Sequence, residues 1–502
     1  MSELLAKVES FIQTINSYLA DWILVILLIA VGLFYTIRTR FVQVRCLGQG
    51  MKKVFGGLKF KGGKQKVGMS SFQAFATAVS AQVGTGNIVG ACGAILAGGP
   101  GAIFWMWIIA FLGMATIYSE AVLAQKTKKV DEQGNVSGGP VHYIRLAFKG
   151  KFGKFLAIFF AIAAIICLGF VGAMVQSNAI SSAISEVGGY DYTSWGWIVG
   201  GVVAITVGLI IIGGARRIAS VTEKIVPIMA IIYILGGIII LCCNITAIPM
   251  AFWFILKFAF TPHALIGGGI GYALKTAISM GAKRGLFSNE AGMGSTPHAH
   301  AQANVKTAHE QGTAAMVGVF IDTFVVLTMT ALIVITTLYI NNAEFLGIMK
   351  SAASQGKDVV KALENAGYTK ENLVTLGIAG MFTNGSTGQM VGSIFVAVCL
   401  SFFAFSTIIS WNLFGRINFE YLFGKKSTIV YSVIAVLFTL LGSFLKSGLV
   451  WELNDFVNYL MVIPNALALF ALSGMVVSEL KTNGKRKSST ETFNEVLSEN
   501  IK

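Results

Sequence analysis

Eleven apolar runs long enough to cross a hydrocarbon layer recur along this chain, and they constrain its fold more than anything else in it. A helix that spans a bilayer needs about 20 mostly apolar residues. The runs fall at 20–37, 69–97, 101–124, 155–185, 195–214, 220–243, 265–300, 313–340, 388–415, 427–446 and 452–480. Only 12% of the 502 residues are charged, where a soluble domain carries roughly 25%. The expected fold is an all-α polytopic membrane protein with eleven transmembrane helices. The run "PMAFWFILKFAF" at 249–260 is too short to cross and predicts an interfacial helix.

Charge sets the expected orientation. Of the 38 Lys and Arg residues, 30 fall in the connections on one side of the runs and 8 on the other. Basic residues collect on the cytoplasmic side, so the N-terminus is expected outside and the C-terminus in the cytoplasm of a cell membrane. Lys283 and Arg284 are counted with the basic side although the run 265–300 contains them; without them the division is 28 to 8. The net charge of +15 is thus explained by topology rather than by nucleic acid. Glu3 and Glu9 give residues 1–18 the wrong sign for the start of a secretory leader. The six cysteines fall mostly inside apolar runs, with no CxxC spacing, and are expected as packing residues. The segment 341–387 predicts short helices capping the outside, and the polar tail 481–502 predicts disorder.

Setting the first run aside leaves five and five. An odd number per block makes the second block enter inverted, the pattern of inverted-repeat secondary transporters. The expected parts are 1–66, an extra helix with a basic loop; 67–243, the first repeat; 244–264, an interfacial segment; 265–480, the second repeat; and the tail 481–502. The opening run of each repeat is interrupted by polar residues and glycines: "QVGTGNIVG" in the first, "GLFSNEAGMGS" in the second. A broken helix frees backbone N–H groups at one half and C=O groups at the other, and each costs several kcal/mol in hydrocarbon if unpaired. A carboxylate can accept the N–H groups, and a hard cation can take the carbonyls. The paired breaks therefore predict discontinuous first and sixth core helices around a mid-membrane site for an anion and a cation. The bland alternative is a packing kink, since glycine is common in membrane helices. Thr85, Asn87 and Asn289 are the polar candidates within the breaks.

Other polar groups lie at membrane depth. Ser406 and Thr407 are adjacent hydroxyls, and Trp411 shares a helical face with Thr407; such hydroxyls often bond back to their own backbone. Gln176 either faces a ligand or ties helices together. Asp322 and Glu290 are expected in gating or structure, with Lys283 or Arg284 as a partner for Glu290; Glu120 is expected to pair with basic loop residues. His298 and His300 are two residues apart and would diverge on a helix.

The stretch "GGPGAIFWMWIIAFLG", Gly98 to Gly113, resembles the signature of the alanine or glycine:cation symporter family, the sodium:alanine symporters. "VGTGNIVG", "KRGLFSNEAGMGS" and "STIISW" resemble further motifs of that family, and the similarity covers about 15–480. The resemblance implies a LeuT-type 5+5 inverted repeat plus one N-terminal helix, and sodium-coupled uptake of alanine or glycine. It implies that Thr85 and Gly86 offer N–H groups to the substrate carboxylate and that Gln82 and Asn87 touch one sodium ion. Carbonyls of Ser80 and Val83, with Ser406 and Thr407, would form a second sodium site. Phe287 and Trp411 would line the side-chain pocket. Beside what the resemblance implies, Asn87, Gln176, Asn289 and Thr407 are expected as further substrate contacts. Where the break falls relative to Lys283 and Arg284 is left open.

Three other classes stand against this. A proton-coupled permease would use Asp322 or Glu290 as its titratable group. An enzyme would need a catalytic set, and no HExxH, His cluster or Ser/His/Asp arrangement at one depth is present. A channel would need a symmetric ring of short subunits. The expected partners are the lipid bilayer, a small neutral amino acid and Na⁺ as the co-transported ion, with no cofactor, no nucleic acid and a monomeric chain.

Overall fold

A capping box starts the first core helix: the Ser70 hydroxyl accepts the Gln73 N–H, and the Gln73 side chain accepts the Ser70 N–H. The helix then runs as Ser71–Gln82 and stops, and the chain resumes as Gly86–Gly98 at an angle of 45° to it. The computed structural model describes residues 2–56, 67–132, 134–261, 270–382 and 385–483. The tail expected to be disordered lies mostly outside those residues, as do part of the basic loop 38–66 and the start of the run 265–300.

In chain order, α1 is Ser10–Arg38, α2 Ser71–Gln82, α3 Gly86–Gly98, α4 Gly101–Thr127, α5 Gly150–Gly188, α6 Tyr192–Ile211 and α7 Gly214–Cys243. The short apolar run is helix α8, Ile248–Phe260. The second broken pair is α9, Ile270–Asn289, and α10, Pro297–Gln302. Then follow α11, Ala308–Ile340, and three short helices, α12 Ala343–Ser354, α13 Val359–Asn365 and α14 Leu373–Ala379. These three lie on one face, which we term the cap face. The chain continues through α15 Gly385–Phe423, α16 Thr428–Gly442, α17 Ser447–Ala471 and α18 Ser473–Asn483. A small antiparallel hairpin joins Lys129–Val130 to Val136–Ser137.

Among the described residues, nine helices are long and apolar enough to cross a membrane, or ten if α2 and α3 count as one bent span. The expected eleventh, 265–300, corresponds to α9 and α10. Lys275, Lys283 and Arg284 reduce the apolar character of α9, and the run's first residues lie outside the described set. By length and composition the described residues thus give nine or ten spans, and that count does not confirm the expected eleventh.

The helices divide into an inner and an outer set. α4, α5, α11 and α15 are mostly buried, whereas α6, α7 and α16 leave most of their surface uncovered. That surface is apolar and regular: Ile205 and Leu209 on α6, Ile231, Leu235 and Ile239 on α7, and Val433, Leu437 and Leu441 on α16 recur about every fourth residue. Such stripes belong against lipid chains. Small residues bring helices into contact within the bundle. A side chain added at Gly442 would meet the Met174 backbone at 2.3 Å, the close approach expected where hydrophobic exclusion cannot drive association.

Candidate functional site

Both interruptions fall at the centre of the bundle, and each is built by its own sequence. In the first, Val83 leaves helical geometry (φ −80°, ψ 87°) and α3 begins beyond Thr85. The freed Gly84 N–H donates to Asn87 Oδ1 at 3.0 Å, and the Thr85 N–H donates to Gln176 Oε1 at 3.3 Å. Glycine is required at 84 by crowding: a Cβ there would sit 2.6 Å from Thr407 Oγ1. At Gly86 a Cβ would be 3.0 Å from the Ser288 Cα and 3.1 Å from the Phe287 ring, so the two broken helices touch at this point.

The second break falls after Lys283–Arg284, between Asn289 and Pro297. Glu290, Gly292 and Gly294 all have positive φ, at 57°, 91° and 82°. Glycine adopts that region freely; a glutamate does so only when its surroundings hold it there. The holders are identifiable. Ser295 Oγ donates to Glu290 Oε2 at 2.5 Å, and Trp411 Nε1 donates to Glu290 Oε1. The expected pairing of Glu290 with Lys283 or Arg284 is therefore not what forms. Arg284 instead pairs with Asp455 of α17 at 3.1 Å.

Glu120 also departs from expectation. It is wholly buried, and it accepts the Gly292 and Gly294 N–H groups at 3.1 Å each and the Asn465 amide at 2.6 Å. A carboxylate on α4 thus satisfies two backbone N–H groups that the break itself sets free. Asn465 is itself fixed by the Tyr143 hydroxyl. His298 lies buried between the Phe160 and Phe414 rings, with Nδ1 at 2.7 Å from the Ser295 carbonyl and Nε2 at 2.8 Å from the Asn418 amide.

Two oxygen-rich clusters flank the meeting point. In the first, Thr407 Oγ1 lies 2.9 Å and Ser406 Oγ 3.5 Å from the Ser80 carbonyl, and Ser80 Oγ contacts Ser410 Oγ. Both hydroxyls also bond back to Phe403 O, the local bonding expected of hydroxyls in membrane helices. In the second, Asp322 of α11 gathers neutral donors. Asn87 Nδ2 lies 2.6 Å from its carboxylate, Ser288 Oγ 2.9 Å and Thr323 Oγ1 2.8 Å. Gln82 Nε2 donates to the Asn289 carbonyl at 2.9 Å, leaving Gln82 Oε1 buried without a donor, as is Thr85 Oγ1.

Asn289 turns its side chain to Thr323 and to the Ala291 N–H. Phe287 and Trp411 meet edge to face, with ring centroids 5.9 Å apart. Sequence reasoning passed over Ser288, Thr323 and Trp451. Trp451 packs on Phe287 at 4.8 Å. A hydroxyl in a membrane helix carries little signal, because most such groups bond to their own turn, as Thr336 and Thr337 do.

The comparisons with known proteins agree on one group. The sodium:alanine symporter family matches residues 5–496. The sodium/alanine symporter AgcS of Methanococcus maripaludis is 37% identical over 473 residues, 94% of this chain and 96% of that protein. The amino-acid carrier protein AlsT of Bacillus subtilis is 34% identical over 486 residues, 95% of this chain and 94% of that protein. Among solved structures, MhsT in complex with L-phenylalanine superposes with a TM-score of 0.57 at 15% identity, covering 86% of this chain and 95% of that one. That likeness establishes the LeuT-type fold.

Proposed function

The chain belongs to the sodium:alanine symporter family, and from that premise we propose that it couples the entry of Na⁺ to the uptake of a small neutral amino acid, alanine or glycine, by alternating access. At the coarser level it is a cation-coupled amino acid symporter and a multi-pass membrane protein, not an enzyme. The observation that carries the finer reading is the pair of oxygen clusters beside the two breaks. One combines the Ser80 carbonyl with Ser406 and Thr407, and the other combines Asp322 with the Ser288 and Thr323 hydroxyls, beside which the Asn87 amide nitrogen donates to the carboxylate. Hard cations prefer oxygen ligands. A carboxylate whose partners are all neutral, buried in a membrane, calls for a cation to balance it.

In this reading the N–H groups of Thr85 and Gly86 take the substrate carboxylate, and Gln176 and Thr407 border it. Phe287 and Trp411 limit the side chain. The Ser80 and Val83 carbonyls with Ser406 and Thr407 hold one Na⁺. Asn87, Gln82 and Asp322, joined by Ser288 and Thr323, hold the other. The basic connections lie in the cytoplasm of a cell membrane, the cap face outside. The driving force is adequate: one charge crossing 100 mV yields about 2.3 kcal/mol, and a tenfold sodium gradient adds about 1.4 kcal/mol.

The test is uptake of labelled amino acids into liposomes containing the purified protein, with an imposed Na⁺ gradient. Alanine or glycine should accumulate, and replacing Na⁺ with choline at constant pH should reduce uptake to background. Undiminished uptake in choline would overturn sodium coupling in favour of a proton.

A further inference from the structure

Above Phe287, toward the cap face, one side chain joins three separate parts of the chain. Trp451, in the second turn of α17, is 5% exposed. Its ring packs on Phe287 at 4.8 Å, and Phe287 packs on Trp411 at 5.9 Å, so the aromatic wall of the candidate pocket continues outward through it. Two cations lie against the same indole. The Arg284 guanidinium, from the first half of the second broken helix, is 5.1 Å from the ring centroid, and the Lys370 ammonium, from the turn between α13 and α14, is 4.9 Å away. Arg284 is bound again one turn along α17, by Asp455 at 3.1 Å, while its Nη1 is buried with no acceptor. Lys370 reaches in across α3: a Cβ on Gly93 would sit 3.6 Å from its Cδ. It also lies 3.8 Å from Glu371.

We propose that Trp451 is a movable roof over the amino-acid pocket that also limits substrate size, and that Lys370 of the cap segment clamps this roof shut. The proposal rests on the transport reading above. An indole face attracts cations, and it does so more strongly when water is excluded. Two cations on one ring, one of them tied to Asp455, hold Trp451 against Phe287. Passage of substrate from the cap face to the breaks requires Trp451 to leave Phe287, and that movement must break the Lys370 and Arg284 contacts. Because Lys370 belongs to neither broken helix, the cap segment becomes a working lid rather than a connector. A cavity of only about 10 Å³ lies beside Trp451, lined by Val89, Asn178, Ala179 and Glu371, and it would widen if the roof moved.

The experiment labels a cysteine placed at Ala179, in a chain whose six native cysteines are replaced, with a membrane-impermeant maleimide on reconstituted protein. In the parent this site should react slowly. K370M should raise the rate at least tenfold, and K370R, which keeps the cation, should restore slow labelling. Equal rates in parent, K370M and K370R would overturn the clamp. In parallel, W451A should improve the competition of leucine against alanine uptake at least tenfold, and an unchanged ratio would overturn the size limit. If W451A does not fold, W451F, which keeps a ring but reduces it, takes its place with the same direction expected. Labelling needs no substrate, so a failure of amino acid uptake would sink the transport reading without touching the clamp result.

Discussion

Asp322 concentrates the chemistry of this protein at a single residue. Its carboxylate lies at the centre of the bundle, where Asn87, Ser288 and Thr323 all donate to it and none carries a charge. Replacing it by asparagine keeps the shape and removes the charge that would hold a cation. D322N should raise the Na⁺ concentration for half-maximal uptake at least tenfold, about 1.4 kcal/mol of ion binding. A sodium titration of alanine uptake checks this, and an unshifted midpoint would remove Asp322 from the ion site. Gly84 is limited by space instead: a methyl group would press on Thr407 Oγ1 at 2.6 Å. G84A should abolish uptake and destabilise the protein by about 1–3 kcal/mol, the usual cost of overpacking, seen as a lowered thermal midpoint. Gly84, Thr85 and Asn87 were legible because small and polar residues stand out in an apolar run. Ser288 and Thr323 were not, because a hydroxyl becomes informative only when a carboxylate from another helix is known to face it.

The broken helices are the elements on which the site depends, and they are stabilised differently. The first break is closed locally by Asn87, three residues beyond Gly84, with Gln176 added from α5. The second is closed from far away, by Glu120 on α4 and Asn465 on α17. This is why the glycines and asparagines of both motifs predicted the breaks, while Glu120 was expected to meet basic loop residues. Its true partners are backbone N–H groups, which exist as acceptor-seeking groups only once the helix has opened. E120Q places an amide N–H₂ where a carboxylate oxygen accepts bonds, so a buried donor loses its acceptor. Such losses cost about 1–3 kcal/mol. The variant should unfold at lower temperature and transport more slowly, and a thermal midpoint equal to the parent's would show that Glu120 does not brace the break.

At the scale of the whole molecule, the basic connections predict a cytoplasmic C-terminus and an external N-terminus. Arg284 does not contribute to that asymmetry as a loop residue, since it lies in α9 and pairs with Asp455. A tag on the N-terminus should be reached by antibody on intact cells and one on the C-terminus only after permeabilisation; the reverse result would invert the proposed topology. Hydrophobic length and charge distribution are properties of the string itself, because the bilayer acts on each segment separately. They were sufficient for a multi-pass helical protein; the glycines and polar residues of the two motifs marked the interruptions, and the place of the second break relative to Lys283 and Arg284 came only from the structure. Which carboxylate meets which donor, where Arg284 finds its counter-charge, and how Trp451 comes to join the cap segment to the aromatic wall depend on residues far apart along the chain. Only the packed bundle decides those, because short-range hydrogen bonds and ring contacts arise when folding has brought distant helices to within a few ångströms.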